Sequence, residues 1–161
     1  MGRALDAELS RLGVPYELLA CDPELADTAA FCAAYGYSPG DSANTIVVVG
    51  KSDPPVYAAC VVLATTRLDV NHVVRARLGV RSSFASFEEA QALTGMQRGG
   101  VTVFGLPAGL PIWVDRRVMD RPEIILGGGS RSWKVKASPA ILLALPGIAV
   151  VDGLALDPPV V

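Results

Sequence analysis

Two glycine-rich segments hold the residues whose types and spacing could bind a charged group. Residues 95–115 read GMQRGGVTVFGLPAGLPIWVD, and residues 127–134 read GGGSRSWK. Glycine lets backbone approach a bound molecule closely, but it also forms tight turns. Successive backbone amides in the second segment, together with Ser130 and Arg131, could hold a phosphate or a carboxylate. A plain β-turn between two antiparallel strands is the alternative interpretation.

Other common catalytic patterns are missing from the sequence. A Walker A loop requires GxxxxGK[ST] leading into a helix, whereas the residues after GGGSR alternate as a strand, and GxGxxG is absent as well. His72 is the single histidine, and no GxSxG motif supports a Ser-His-Asp site. Cys21, Cys32 and Cys60 form no CxxC pair. We therefore expect no disulfide framework, no metal site and no cofactor.

The composition is that of a folded globular protein. The 161 residues are 51% hydrophobic and 19% charged, and we expect one domain over residues 1–161. No apolar run approaches the roughly 18 residues that a membrane helix needs. The N-terminal segment MGRALDAELSRLG lacks the continuous apolar run of a signal peptide, so we expect a cytoplasmic protein without membrane contact.

Charge is distributed unevenly along the chain, whose net charge is −2. Residues 1–60 contain 3 Lys and Arg against 8 Asp and Glu, and residues 61–161 contain 11 against 8. A basic face in the second part could meet a phosphate backbone, although ordinary solvated charges explain the same distribution.

The hydrophobic pattern predicts an α+β domain with a mixed sheet, in which the glycine-rich segments connect strands. The predicted helices are 3–12, 24–35, 70–78 with Asp69 as N-cap, 88–95 with a capping box from Ser86, and 140–145. The predicted strands are 15–21, 45–49, 56–65, 101–104, 111–115, 122–126, 132–137 and 148–152.

Four stretches in this order resemble the YbaK family, the trans-editing relatives of the prolyl-tRNA synthetase insertion domain. They are Asp22-Pro23 before a helix, the strand opening at NTIVVV, the helix unit LDVNHVVRARLGV, and TGMQRGGVTVFGLPAGLPIWVD followed by GGGSR. The resemblance covers roughly residues 15–152. It implies a single α+β domain whose mixed, mostly antiparallel sheet curls toward a pseudo-barrel with helices around it. It also implies hydrolysis of mischarged aminoacyl-tRNA.

The resemblance also implies roles for particular residues. A loop of Gly99, Gly100, Val101 and Thr102 would form the oxyanion side of the pocket. Asn44 and Thr45 would contact the 3′ end of the tRNA, and Asp115 would orient polar groups. The turn of Gly127, Gly128, Gly129, Ser130 and Arg131 would meet the adenosine or phosphates. The pocket wall would include Cys21, Phe31, Ile46 and Val103.

This chain departs from the family pattern at three positions. The family has a lysine at the start of the first buried strand, and this chain has Asn44 there. Lys51 is a poor substitute, because seven residues of extended strand span about 23 Å. Val103 replaces the proline that ends the family's GxxxP loop, and Cys21 stands where some members have a histidine.

Three hypotheses follow. In the first, the protein is a trans-acting deacylase of mischarged tRNA, and a synthetase is a further partner that the resemblance allows. In the second, the loss of the lysine leaves a weak or inactive module that binds aminoacyl-tRNA or a nucleotide-like ligand. In the third, the glycine turns are purely structural.

Overall fold

The computed structural model describes residues 2–97 and 99–157, which form ten β-strands and six α-helices. The helices are α1 Gly2–Ser10, α2 Thr28–Tyr35, α3 Arg75–Leu78, α4 Phe87–Thr94, α5 Arg116–Met119 and α6 Ala140–Leu143. The strands are β1 Tyr16–Ala20, β2 Ala43–Gly50, β3 Val56–Leu63, β4 Arg67–Leu68, β5 Ser82–Phe84, β6 Ile112–Asp115, β7 Ile124–Gly127, β8 Trp133–Ala137, β9 Ile148–Val151 and β10 Ala155–Leu156. Within these described ranges, no helix has the length and apolar character needed to cross a membrane.

The strands divide among three sheets. The largest has the order β5-β2-β3-β6-β9, with antiparallel pairing from β5 to β3 and parallel pairing from β3 to β9. A second sheet, β1-β8-β7, is fully antiparallel, and β10 pairs with β4. The predicted α+β class with mixed, mostly antiparallel pairing is confirmed. None of the sheets in the described part of the chain closes into a barrel; a bridge between Ser42 and Ile125 joins the two larger ones.

The core lies on both faces of β2 and β3. Ala59 and Val61 of β3 pack into one apolar cluster, whereas Ala58 and Cys60 pack into another on the opposite face. A strand buried on both faces reads as a continuous apolar run, which is why VYAACVV shows no polar alternation. Burial on both faces makes this strand pair a rigid support for the residues at the start of β2.

Local signals located most of the helix ends. Ser86 Oγ accepts from the Glu89 amide and Glu89 accepts from the Ser86 amide, so the predicted capping box at α4 is confirmed. Asp69 takes the predicted N-cap position before the helical segment that starts at Val70. Its side chain makes no capping bond, a π-helical turn follows over Val70–Val74, and Asp69 Oδ1 instead lies 2.9 Å from Nδ1 of His72.

The predicted strand over residues 101–104 was wrong. This segment runs as irregular backbone, yet Val103 and Phe104 are almost completely buried in the main apolar cluster. Their apolar pattern therefore reflects packing against the core and not pairing with a neighbouring strand. Gly105, with φ +81°, then takes the left-handed conformation that ends the segment.

Candidate functional site

A cavity of about 460 Å³ opens between the two larger sheets. One wall is the N-terminal end of α2 with the preceding residues Ala26 and Asp27, and another is the first half of β2. Lys134 of β8 and the glycine loop at residue 99 form the base, and Phe84, Phe87 and two alanines complete the wall on the side of α4. The cavity brings together chain segments that lie more than 100 residues apart in sequence.

The start of β2 contributes two polar residues, Asn44 and Thr45, to the lining of this cavity. Asn44 Oδ1 accepts a hydrogen bond from the Thr28 hydroxyl at 2.9 Å, which fixes the orientation of the Asn44 amide. Thr45 Oγ1 is buried and has no hydrogen-bond partner among the described residues. A buried hydroxyl without a partner is costly, and this oxygen has almost no accessible surface. Ile46 also lines the cavity.

Lys134 is the positively charged residue among the described residues that line the cavity, and the sequence did not predict it as a site residue. Only 6% of the residue is exposed, and Nζ donates to the carbonyl oxygens of Ala26 at 2.6 Å and Gly99 at 3.4 Å. Burial lowers the pKa of this ammonium below 10.5, while Cys21 and Asp27 oppose the shift. One signal was available in the sequence: strand WKVKA places Lys134 on a different face from Trp133 and Val135.

The electrostatics at the base of the cavity favour negative charge. Lys134 lies beside the N-terminal end of α2, where backbone amides carry partial positive charge. Asp27, the N-cap residue, makes no side-chain capping bond and instead faces Arg131 Nη1 at 3.3 Å. Among the described lining residues, Asp27 and Lys134 are the ionisable ones. The site can therefore bind an anion or a polarised carbonyl, and its one carboxylate is shared with Arg131.

The two glycine-rich loops pack directly against each other. A Cβ atom on Gly100 would lie 2.5 Å from the Ser130 carbonyl, and one on Gly127 would lie 2.6 Å from the Val101 carbonyl. The Gly129 amide donates to the Gly100 carbonyl at 2.6 Å. Glycine is required at Gly100 and Gly127 because the two backbones meet there, so the glycines of these segments serve the close packing of the loops. The turn joins antiparallel β7 and β8, as the simpler interpretation held.

The predicted oxyanion loop is only partly directed at the cavity. Gly99 and Val101 line it. The Gly100 amide, however, donates to the Gln97 carbonyl at 2.9 Å, and the Thr102 amide donates to the Met96 sulfur at 3.4 Å. Thr102 is fully buried. The amides of Gly100 and Thr102 are already hydrogen-bonded within the protein. An oxyanion role therefore stays a prediction for Gly99 and Val101 only.

The turn over residues 127–131 meets the cavity through Gly127. Arg131 Nε donates to the Pro23 carbonyl at 2.8 Å, and the Arg131 backbone amide donates to Gln97 Oε1 at 3.1 Å. Ser130 is buried, and its Oγ accepts from the Ser132 amide. Gly128 packs against the backbone of Trp133. Arg131 therefore ties the turn to the segment before α2, and contact of the turn with adenosine or phosphate stays a prediction.

Three other predicted site residues lie outside the lining of this cavity. Cys21 is buried in a small apolar cluster with Phe31, and Val103 is buried in the main core. Asp115 is buried at the end of β6, where Oδ2 lies 3.5 Å from Arg117 Nε. Burial raises the pKa of this carboxyl above 3.8, with Arg117 opposing the shift. Phe31 borders a minor cavity of about 20 Å³ beside Asn44 and Lys134.

Comparison with known proteins gives consistent neighbours. The chain is 26% identical over 110 residues to EbsC of Enterococcus faecalis, a candidate Cys-tRNA(Pro)/Cys-tRNA(Cys) deacylase; the match covers 68% of this chain and 66% of that relative's length. A crystal structure of a candidate trans-editing enzyme for prolyl-tRNA synthetase superposes with a TM-score of 0.82 at 25% identity, covering 97% of this chain and 96% of the other. A protein described only as hypothetical gives a TM-score of 0.82 at 26% identity, covering 92% and 97%.

The family model described as the aminoacyl-tRNA editing domain matches residues 22–145. This range contains every residue that lines the main cavity, from Ala26 to Lys134. It also contains the stretches that carried the resemblance seen in the sequence between Asp22 and the GGGSR turn. The chain belongs to the aminoacyl-tRNA editing domain family.

Proposed function

We propose that the protein hydrolyses the ester bond of mischarged aminoacyl-tRNA in trans, with the main cavity as its active site. The observation that carries this proposal is the convergence of Asn44, Thr45 and Lys134 on one cavity within the region that matches the editing domain. Relatives that are named as candidate deacylases and trans-editing enzymes support the same activity.

Lys134 supplies the positive charge that the resemblance assigned to a lysine on the first buried strand. Two of its ammonium protons are directed at the Ala26 and Gly99 carbonyls, which leaves the third for a substrate oxygen. An ammonium held in a poorly solvated site stabilises a developing negative charge more strongly than it does in water. Asn44, oriented by Thr28, donates from its amide nitrogen without adding charge.

In the hydrolysis, water attacks the carbonyl carbon of the ester and forms a tetrahedral intermediate whose oxygen carries negative charge. Lys134 stabilises that oxygen. The bond from carbon to the ribose oxygen then breaks, the amino acid leaves as a carboxylic acid that ionises, and the ribose regains its hydroxyl proton. Asp27 is the one carboxylate of the described lining and is paired with Arg131, so the free ribose hydroxyl of the substrate positions the water.

The cavity favours small aminoacyl groups. Its walls include four alanines, at positions 26, 43, 85 and 90, and the whole space of about 460 Å³ must also admit part of the terminal adenosine. We therefore propose alanyl, seryl and cysteinyl esters as the substrate class. The name of the Enterococcus faecalis relative, which refers to Cys-tRNA, points in the same direction.

The test is a deacylation assay with Ala-tRNA(Pro), Ser-tRNA(Ala) and Cys-tRNA(Pro), comparing the wild type with Lys134→Met. We expect hydrolysis of at least one substrate by the wild type and a loss of about 100-fold or more in kcat/KM for the variant. Lys136→Met is the matched control, because Lys136 lies on the same strand but pairs with Glu17 and Glu123 outside the cavity. No hydrolysis by a folded wild type that still binds these tRNAs would favour the binding-module hypothesis.

A further inference from the structure

Two phenylalanines stand at the mouth of the main cavity and are unusually exposed. Phe84 is 53% exposed and Phe87 is 59% exposed, although both line the cavity. Large aromatic side chains normally bury most of their surface. Their exposure next to a concave site is informative, because exposed aromatic side chains at the edge of a cavity are suited to a flat ligand.

The backbone holds both rings in defined places. Phe84 ends β5, where it pairs with Val48 of the buried strand β2. Phe87 is the first residue of α4, immediately after the Ser86 capping box that fixes the start of the helix. The Ser82 hydroxyl also ties β5 to the Val70 carbonyl at 2.9 Å. The two rings are therefore presented by rigid elements and not by a free loop.

A second cavity of about 220 Å³ lies beside the first, and Phe84 lines both. The second cavity contains Arg67, Asn71 and His72, which supply hydrogen-bond donors and one permanent positive charge. The acidic group that faces it, Asp69, is engaged by His72 Nδ1 at 2.9 Å. An aromatic ring thus separates a cavity suited to an ester from a second cavity in which hydrogen-bond donors and the Arg67 guanidinium lie beside apolar side chains.

We propose that Phe84 and Phe87 form a stacking platform for the base of the terminal adenosine, and that the second cavity receives the preceding nucleotide with Arg67 on its phosphate. The proposal rests on the proposed function, because it is the ester at the 3′ end that brings these nucleotides to the mouth of the main cavity. Aromatic side chains bind single-stranded bases by stacking with little sequence preference. Arginine is suited to phosphate because its planar donors match the oxygens.

The path of the substrate then follows the order of the two cavities. The aminoacyl ester lies between Asn44 and Lys134, the adenine lies against Phe84 and Phe87 at the mouth, and the next nucleotide turns past Phe84 into the second cavity. This path places the adenosine on the side of α4, away from the turn over residues 127–131 to which the resemblance had assigned it.

The experiment measures binding without hydrolysis. The probe is the uncharged trinucleotide CCA, with 2-aminopurine replacing the terminal adenine so that stacking quenches its fluorescence. We expect Phe84→Ala and Phe87→Ala each to weaken binding by about 5- to 100-fold and to relieve the quenching. Phe84→Leu keeps apolar area but has no aromatic face, so it should behave like Phe84→Ala. Arg67→Gln should reduce the slope of log K against log salt by about 0.7.

Leu143→Ala is the matched control, because Leu143 is 56% exposed on α6 and lines neither cavity. Unchanged CCA affinity in both phenylalanine variants, or wild-type quenching in Phe84→Leu, would overturn the platform. Loss of CCA binding in the phenylalanine variants of a wild type that shows no deacylation would support the platform and refute the proposed hydrolysis. Wild-type deacylation with unchanged KM in both alanine variants would keep the proposed function and refute the platform, leaving a protein partner to explain the exposed rings.

Discussion

Lys134 and Asn44 line the same cavity from two different sheets, Lys134 from β8 of the three-stranded sheet and Asn44 from β2 of the five-stranded sheet. Both also line the small adjoining cavity. The resemblance implied a lysine at position 44. In the proposed mechanism, Lys134 supplies this charge from the other sheet.

This arrangement predicts the outcome of a charge swap. Lys134→Met should lower deacylation strongly, and the double variant Asn44→Lys/Lys134→Met should recover a large part of the lost activity, because the ammonium returns to the same cavity. Asn44→Lys alone should not exceed the wild type, since a second ammonium in a poorly solvated site repels the first. The measurement is kcat/KM for each variant on one mischarged tRNA.

Two results would contradict this exchange. An Asn44→Lys variant far more active than the wild type would show that Lys134 does not replace the family's lysine. A double variant no better than Lys134→Met would show that position 44 cannot deliver the charge. The folded state of each variant is checked by circular dichroism before the assay.

Lys134 should also make stability depend on alkaline pH. Burial lowers its pKa below 10.5, so between the folded pKa and 10.5 the unfolded chain binds more protons than the folded protein. The free energy of unfolding therefore rises with pH in that window. The difference in unfolding free energy between the wild type and Lys134→Met should increase as the pH approaches 10.5, as measured by urea unfolding.

Lys136→Met should show a different dependence of the unfolding free energy on pH. The Glu123 carboxylate raises the pKa of Lys136 above 10.5, so this lysine stays charged in both states below that pH. The difference between the wild type and Lys136→Met should stay flat up to about pH 10.5. If the difference between the wild type and Lys134→Met also stays constant with pH, the Lys134 ammonium is better solvated than the structure indicates.

The contact between the glycine loops predicts a stability effect. Gly100→Ala places a methyl group 2.5 Å from the Ser130 backbone, which cannot move aside like a flexible side chain. We expect a loss of about 1–3 kcal/mol in the free energy of unfolding, typical of overpacking. Gly40→Ala is the control, because its Cβ would meet only the Ser38 hydroxyl at 3.4 Å. Equal stability of the two variants would show that the loops are not in close contact.

The sequence predicted the parts of the fold that local pattern determines. The apolar runs of β2 and β3, the capping box of Ser86 and the glycine turn between β7 and β8 are all confirmed. Each depends on residues within a few positions of one another. The prediction of a strand over residues 101–104 failed because its apolar residues are buried against distant parts of the core and have no strand partner.

The site was harder to predict for the same reason. Asn44, Thr45, Ile46, Gly99 and Val101 line the cavity, and the roles that the resemblance implied for them stay predictions. Lys134 was missed because its role depends on β8 meeting α2, and the two elements are about a hundred residues apart in sequence. The resemblance also implied a role for Asp115, which lies outside the lining of this cavity.

Asp115 instead predicts an acid dependence of stability. Burial raises its pKa above 3.8, so as the pH rises past 3.8 the unfolded chain loses this proton before the folded protein does. The unfolded state then binds fewer protons, and the contribution of Asp115 to the free energy of unfolding falls with rising pH until the folded carboxyl has also ionised. The stability of the wild type relative to Asp115→Asn should therefore decrease from about pH 3.5 upward, as measured by urea unfolding at a series of pH values. Asp120→Asn, at an exposed carboxylate after α5, is the control for the loss of one negative charge. A difference that increases with pH for Asp115→Asn would mean that Arg117, 3.5 Å away, outweighs the cost of burial.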